Sequence, residues 1–340
     1  SPIELPGGRR LSNRIVMPPM VIWRADKSGS VNDSHLRHYA ESAPGAGLAI
    51  VEATAVSPEG RLAATVLALF EDSQTPGMAD LALGPDRWSD VRRPPLAPSA
   101  LKDRPEIEVL DEEGILRIIG DFVAAARRAV EAGFELLELH GAHGYLGSQF
   151  LSPRTNRRED RWGGSLDNRL RLLRELVRQV RDVIDGRALL SCRLGVAEGA
   201  EDGLQIDEGV EAARALSLEG LDLIHVSHAG SKPAPLEREV PFDPTLQLAK
   251  PVRQAVSIPV IGVGGIIEPA QAEAALRAGY GDLIAAGRAI LADPGWARKT
   301  AEGKVDQIVR CAACQPRCYH HTNPKLCPAR NRLGIQPPGL

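Results

Sequence analysis

His140 and His143 stand three residues apart in "ELHGAHGYLGSQFLSP", residues 138–153, and Tyr145 follows two residues later. The stretch comes straight after an apolar run, so these polar groups fall where a buried strand ends. Two imidazoles can ligate a metal, act as bases or donate N–H bonds. A metal would need a third ligand, and neither another His nor a carboxylate follows at this strand end. As N–H donors aimed at a carbonyl oxygen, the pair would stabilise an enolate as it forms. A phenol beside them can deliver a proton. A lone His is often a satisfied core residue, but two at one strand end argue against that.

Other strand ends carry residues of the same kind. In a parallel barrel the site lies at the C-terminal ends of the strands. There the sequence offers Pro18, Pro19 and Met20, then Ala53 and Thr54, then Arg193, and last Gly264–Gly265 and Gly287–Arg288. Glycines after the last two strands let backbone N–H groups approach an anion, and an Arg adds charge-assisted hydrogen bonds, which suits a phosphate. Taken singly these glycines only make tight turns; two sites plus Arg288 favour phosphate. Arg193 is a cation at the end of an interior strand, where charge is costly unless paired. Its partner is either a protein carboxylate or a bound anionic cofactor.

The elements that must position these residues are legible as aliphatic runs bounded by Gly or polar residues. They are "RIVMPP" (14–19), "GLAIVEATAV" (47–56), "ELLELHG" (135–141), "LLSCRLG" (189–195), "LDLIHVSH" (221–228), "PVIGVGG" (259–265) and "DLIAAGR" (282–288). Near-continuous apolar runs suit strands buried on both faces of a parallel sheet. Helical periods lie between them. Asp111 is positioned to cap a helix with Ile115, Ile118, Ile119, Phe122, Val123, Ala126 and Val130 inward. Ser165 is positioned to cap the next, with Leu170, Leu173, Leu176, Val177 and Val180 inward. A third carries Val210, Ala213, Leu216 and Leu218, and a fourth Ala270, Ala272, Ala275 and Leu276. Alternating strand and helix predicts an α/β fold, a (β/α)8 TIM barrel. Seven strands are readable rather than eight. The gap falls between Val56 and Glu135, where "GPDRWSDVRRPPLAPSALKDRP" (84–105) has no period and only "ATVLALF" (64–70) is strand-like.

Composition bounds the function. The 340 residues carry 41 basic and 44 acidic side chains, a net charge of −3 with both signs mixed, which argues against a nucleic-acid surface. No apolar run approaches bilayer length and no secretory h-region is visible, so a cytoplasmic protein without membrane contact is expected. At 4% aromatic content against 43% hydrophobic, the core must be mostly aliphatic, as barrel interiors are. Residues 1–300 read as the barrel and 301–340 as a cysteine-rich extension.

The stretch "HGAHGYLGSQFLSPRTNRREDRWGGSLDNRLR" (140–171) closely resembles the signature of the Old Yellow Enzyme family, the FMN-dependent ene reductases. "LSNRIVMPPM" (11–20), "GLAIVEATAVSPEGR" (47–61), "APSAL" (97–101), "PVIGVGGI" (259–266) and "DLIAAGRAILADPGWARK" (282–299) match in the same order. The resemblance implies that Pro18, Pro19, Met20 and Ala53 line the flavin ring and that Arg193 faces its pyrimidine edge. It implies that Gly264, Gly265, Gly287 and Arg288 hold the FMN phosphate, that His140 and His143 bind the substrate carbonyl, and that Tyr145 donates a proton. NAD(P)H would reduce FMN and leave; hydride would then pass to the β-carbon of an enone, or of an enoyl or dienoyl thioester. Val21 stands after Met20 where some relatives carry Cys or Thr, and Trp23 and Trp162 stand where Tyr is frequent. Relatives also carry a third strand and a Gln-Leu-x-His-x-Gly-Arg motif in the interval that "MADLALGPDRW" crosses directly.

Cys311-x2-Cys314-x3-Cys318-x8-Cys327 is similar to the cluster motif of the dienoyl-CoA reductase and trimethylamine dehydrogenase branch, which implies a [4Fe–4S] cluster. Zinc is the rival, with His320 and His321 adjacent. The branch also raises an amine-dehydrogenase or demethylase activity, with electrons leaving through the cluster to a partner protein. A degenerate barrel with a structural metal is the non-enzymatic alternative. Relatives are often homo-oligomers, but no interface is legible in the sequence.

Overall fold

The structure is a computed structural model and describes residues 1–76, 78, 96–99, 108–315, 318, 320 and 324–334. Seven short strands form one parallel sheet: β1 (Ile15–Met17), β2 (Leu48–Ala49), β3 (Leu136–Gly141), β4 (Leu189–Gly195), β5 (Leu223–Ser227), β6 (Val260–Val263) and β7 (Leu283–Ala285). Their order is β2-β1-β7-β6-β5-β4-β3. The last strand pairs with the first, Ile284 opposite Ile15, so the sheet curls back on itself as a barrel does. Between them run α1 (Asp33–Ser42), α2 (Glu112–Glu131), α3 (Leu146–Leu151), α4 (Leu166–Ile184), α5 (Ile206–Leu218), α6 (Pro244–Gln247), α7 (Ala249–Ala255) and α8 (Pro269–Arg277), and after β7 follow α9 (Gly287–Ala292), α10 (Trp296–Ala301) and α11 (Pro328–Leu333).

The one seam in the ring lies between β2 and β3, where a third barrel strand belongs. Among the described residues no strand joins it. The strand-like piece at 64–70 does not fill the place: Leu67–Ala68 pairs with Thr54–Ala55 in a separate two-stranded sheet past the end of β2. The Pro-rich interval 84–105 lies outside the described residues except for 96–99, of which Leu96–Ala97 pairs with Glu108–Val109.

Strand β4 shows why these runs look uniformly apolar. Successive side chains point to opposite faces. Leu189 joins Val16, Ile50, Leu223, Ile261 and Leu283 inside the barrel. Leu190, Cys192 and Leu194 point outward against Leu173, Leu176 and Val177 of α4. Both faces are buried, so alternation of polarity disappears. The inward set turns polar only toward the C-terminal end, at Ser191 and Arg193. The other end is closed by Leu5, carried on the hairpin Ile3–Glu4 with Arg10–Leu11.

The helices follow their periods and caps. Asp111 Oδ1 accepts from the Gly114 N–H at 2.7 Å, and Ser165 Oγ from the Asn168 N–H at 3.3 Å. Ile115, Ile118, Ile119 and Ala126 of α2 are buried, as are Leu170, Leu173, Leu176, Val177 and Val180 of α4. On α5, Ala213 and Leu216 are buried but Leu218 is 83% exposed. Two positions beyond Leu216 it has rotated about 200° to the outer face. On α8, Ala275 is buried and Ala270 exposed. Among the described residues no helix is long and apolar enough to cross a membrane.

Candidate active site

The C-terminal strand ends open into one cavity of about 1820 Å³. Pro18, Pro19, Met20, Ala53, His140, His143, Tyr145, Arg193, Gly264, Gly265, Gly287 and Arg288 all line it. Every strand-end residue singled out from the sequence therefore faces the same space.

His140 is the ladder neighbour of Arg193 on β4. After β3 the chain turns sharply: His143 has φ +60° and Gly144 φ +76°. A left-handed non-glycine residue is uncommon and marks a constrained, often functional position. Here the His143 N–H donates to the His228 carbonyl at 3.1 Å, which ties the turn to the end of β5. The turn swings the His143 ring back to 5.2 Å from His140, centroid to centroid. Tyr145, 41% exposed at the start of α3, places its ring 5.4 Å from His140. His143 Nε2 lies 2.7 Å from Ser227 Oγ, and the His228 ring stands 5.0 Å from His143. Ser227 and His228 were not singled out in the sequence, although "LDLIHVSH" contains them. The signal was parity, since Leu223, His225 and Ser227 share the inward face of β5.

Burial, reinforced by the Arg193 charge, draws the His140 pKa down to about 4 and the His143 pKa to about 2. At neutral pH both rings are uncharged. Each can then donate one N–H, the form suited to polarising a carbonyl without placing a cation in the cavity.

Arg193 has a buried Nε with no hydrogen-bond partner. Burial lowers its pKa and Glu138 pulls it back up. A buried guanidinium left this way calls for an acceptor from outside the chain. The glycines make room for one. Gly264 has φ +146°, and a Cβ there would stand 2.9 Å from the Leu246 nitrogen. A Cβ on Gly287 would press to 3.1 Å from Met20 Sδ. Asp243 lies beside the Gly264–Gly265 pair, but Lys232 Nζ donates to it at 2.7 Å and offsets its charge there. These positions fit a flat heteroaromatic ring with an attached phosphate.

Behind Ala53, Glu52 is buried among α1 side chains. It accepts from the Ile22 N–H at 3.2 Å, and His35 Nε2 lies 3.7 Å away. Burial raises Glu52 from 4.5 to about 8 and lowers His35 from 6.5 to about 4. Between pH 4.5 and 8 the unfolded chain has released the Glu52 proton while the folded chain keeps it, so stability falls as pH rises through that window. His35 acts oppositely: between pH 6.5 and 4 the unfolded chain binds the proton, so stability falls as pH drops. Glu52→Gln is expected to flatten the alkaline-side fall of Tm between about pH 5 and 8 and leave the acid side unchanged. Parallel Tm–pH curves for the two proteins would exclude this role for Glu52.

Of the tail cysteines, Cys314 and Cys318 lie close enough to Cys311 to act on its thiol electrostatically. Among the described residues no three His, Cys, Asp or Glu side chains are placed to hold one metal ion. The metal set expected from the spacing of Cys311, Cys314, Cys318 and Cys327 is thus not shown by the described residues. Cys327 stands at the N-cap of α11, buried with Ala292 and Ala329, and Cys311 packs on the same cluster. Cys318 lines the barrel cavity instead. Burial, with Cys318 and Cys314 close by, pushes the Cys311 thiol up. His321 lies outside the described residues.

A flat apolar wall, an unpartnered buried cation and a bare glycine cradle at the mouth of a parallel barrel define a flavin oxidoreductase of the TIM-barrel type. Residues 1–83 and 90–307 match the NADH:flavin oxidoreductase / NADH oxidase family, and the chain belongs to that family. It is 38% identical over 314 residues to an NADPH dehydrogenase of Halalkalibacterium halodurans, covering 86% of this chain and 91% of that protein. Among solved structures it is similar to a 2-naphthoyl-CoA reductase in complex with 2-naphthoyl-CoA, with 27% identity and a TM-score of 0.84 over 94% of this chain; the match spans only 54% of that chain. An old yellow enzyme homologue from Zymomonas mobilis gives 25% identity and a TM-score of 0.74, covering 89% of this chain and 92% of that one. The protein is an FMN-dependent NAD(P)H oxidoreductase of the Old Yellow Enzyme type.

Proposed function

We propose that this chain reduces the carbon–carbon double bond of an α,β-unsaturated carbonyl compound or of an enoyl or dienoyl thioester. The observation that carries the reading is the meeting of His140, His143 and Tyr145 over the cavity that Arg193 enters. Bound FMN, once reduced by NAD(P)H, supplies the hydride. Arg193 would hold the pyrimidine edge, Gly264, Gly265, Gly287 and Arg288 the phosphate, and Pro18, Pro19, Met20 and Ala53 the ring. His140 and His143 donate N–H bonds to the substrate carbonyl oxygen and stabilise the charge that grows there. With Nε2 of His143 accepting from the Ser227 hydroxyl, Nδ1 carries the proton that His143 donates. Tyr145 delivers a proton to the α-carbon. The thioester reading draws support from the likeness to a reductase solved with an aryl-CoA. Residues 1–300 form the FMN-binding unit and 301–340 an appended segment whose cysteines enter none of these steps.

The test separates the half-reactions. NADPH is expected to bleach the flavin, and cyclohexenone to restore its colour. Changing His140 and His143 together to Ala is expected to abolish enone binding and reoxidation, with FMN still bound and still reducible. Turnover at the unmodified rate would refute the assignment. A flavin that NADPH leaves oxidised but an amine reduces would favour the amine-dehydrogenase reading.

A further inference from the structure

One layer below the mouth, the barrel interior holds a carboxylate the mechanism does not use. Glu138 lies two residues before His140 on β3, and its side chain is 6% exposed. His225 on β5, fully buried, places Nδ1 at 3.1 Å from Glu138 Oε2 and 3.3 Å from Oε1. Ser191 Oγ donates to Oε2 at 3.3 Å. Burial works to raise the Glu138 carboxyl, but His225, its hydrogen bond, Arg193 and His140 outweigh burial and hold it below the ordinary carboxylate range. Burial keeps His225 neutral. Its Nδ1–H therefore donates, and the counter-charge to Glu138 is the Arg193 guanidinium.

The ladder places Arg193 beside the pair. Arg193 stands opposite His140 on one side and His225 on the other, while Ser191 stands opposite Glu138. No direct bond between Glu138 and Arg193 consumes the cation, whose Nε stays unpartnered. Arg193 thus meets whatever fills the cavity on one side and a fixed negative charge on the other. Buried charges interact strongly over such distances because little solvent screens them.

We infer that Glu138 is a positioning residue for the cofactor site: clamped by His225 and Ser191, its carboxylate fixes Arg193 and offsets part of its charge, and so sets how strongly the site favours added negative charge on the flavin. The inference rests on the FMN reading above. A purely structural core pair would leave the redox balance of the flavin unchanged.

The test uses the holoprotein. Glu138→Gln keeps the volume and an acceptor but removes the charge. It is expected to favour the reduced flavin about tenfold more than wild type does, about 30 mV upward for a two-electron couple. Sulfite, an anionic probe of the same charge, is expected to bind the oxidised flavin about tenfold more tightly. Glu138→Asp, which draws the carboxylate back by one methylene, is expected to shift both in the same direction by about threefold. It is read in the same way should the Gln variant fail to accumulate. A visible flavin spectrum with wild-type potential and sulfite affinity in the variants overturns the inference and leaves the FMN reading standing. A wild-type chain that takes up no FMN overturns both.

Discussion

Tyr145→Phe is expected to lower enone reduction by about 10²- to 10⁴-fold, the range a positioned general acid contributes. FMN content and the rate of flavin reduction by NADPH are expected to stay at wild-type values. The separation follows from geometry. The Tyr145 ring stands over His140, not over Arg193 or the glycines. Its hydroxyl makes no hydrogen bond to any described residue, so removing it disturbs no contact that holds the fold. A surface-facing change of that size usually shifts stability by no more than about 0.5 kcal/mol. The loss should therefore fall on one half-reaction alone. Stopped-flow traces read it directly: bleaching by NADPH at the wild-type rate, then slow reoxidation by cyclohexenone and normal reoxidation by dioxygen. A less than threefold change in the enone step would remove Tyr145 from the proton-donor role.

The sequence made the barrel legible because its strands are buried on both faces. Runs such as "LLSCRLG" are then uniformly apolar and easily found, and caps such as Asp111 and Ser165 fix where the helices begin. The same double burial hid the inward parity. Glu138 on β3 and His225 on β5, 87 residues apart, meet across the intervening β4, a juxtaposition that only the register of the three strands reveals. His228 went unnoticed for a related reason: its approach to His143 depends on the left-handed turn at His143, which no propensity predicts. Leu218 failed on helical phase at a helix end, where one further residue decides between core and solvent. Spacing along a chain says nothing of packing, so the burial of Cys327 in an apolar cluster at the start of α11 was not legible. At the seam between β2 and β3 the residues that read as a substitute strand pair elsewhere.

Arg193→Met is expected to strip the protein of flavin. The substitution keeps an unbranched apolar stem and removes the buried Arg193 cation from the mouth. Removing one member of a buried charged contact costs about 2–5 kcal/mol, a loss of about 30-fold to several thousand-fold in FMN affinity. The same change strands Glu138. With Arg193 gone, burial is opposed only by His225, Ser191 and His140, and the carboxyl pKa must move up. A carboxyl whose folded pKa lies above its unfolded value loses stability as pH rises between the two. Arg193→Met should therefore show a Tm that declines with pH from the mid-acid range upward, beyond the decline Glu52 already imposes. Adding Glu138→Gln removes the stranded charge. The double variant is expected to recover the Tm and lose the extra pH dependence while FMN affinity stays low. Stability and cofactor retention then come apart: Glu138 governs the first once Arg193 is lost, and Arg193 governs the second. FMN quantitation after desalting and Tm–pH curves for the three proteins measure both. Stoichiometric, tightly held FMN in Arg193→Met would show that this cation is not what anchors the flavin ring.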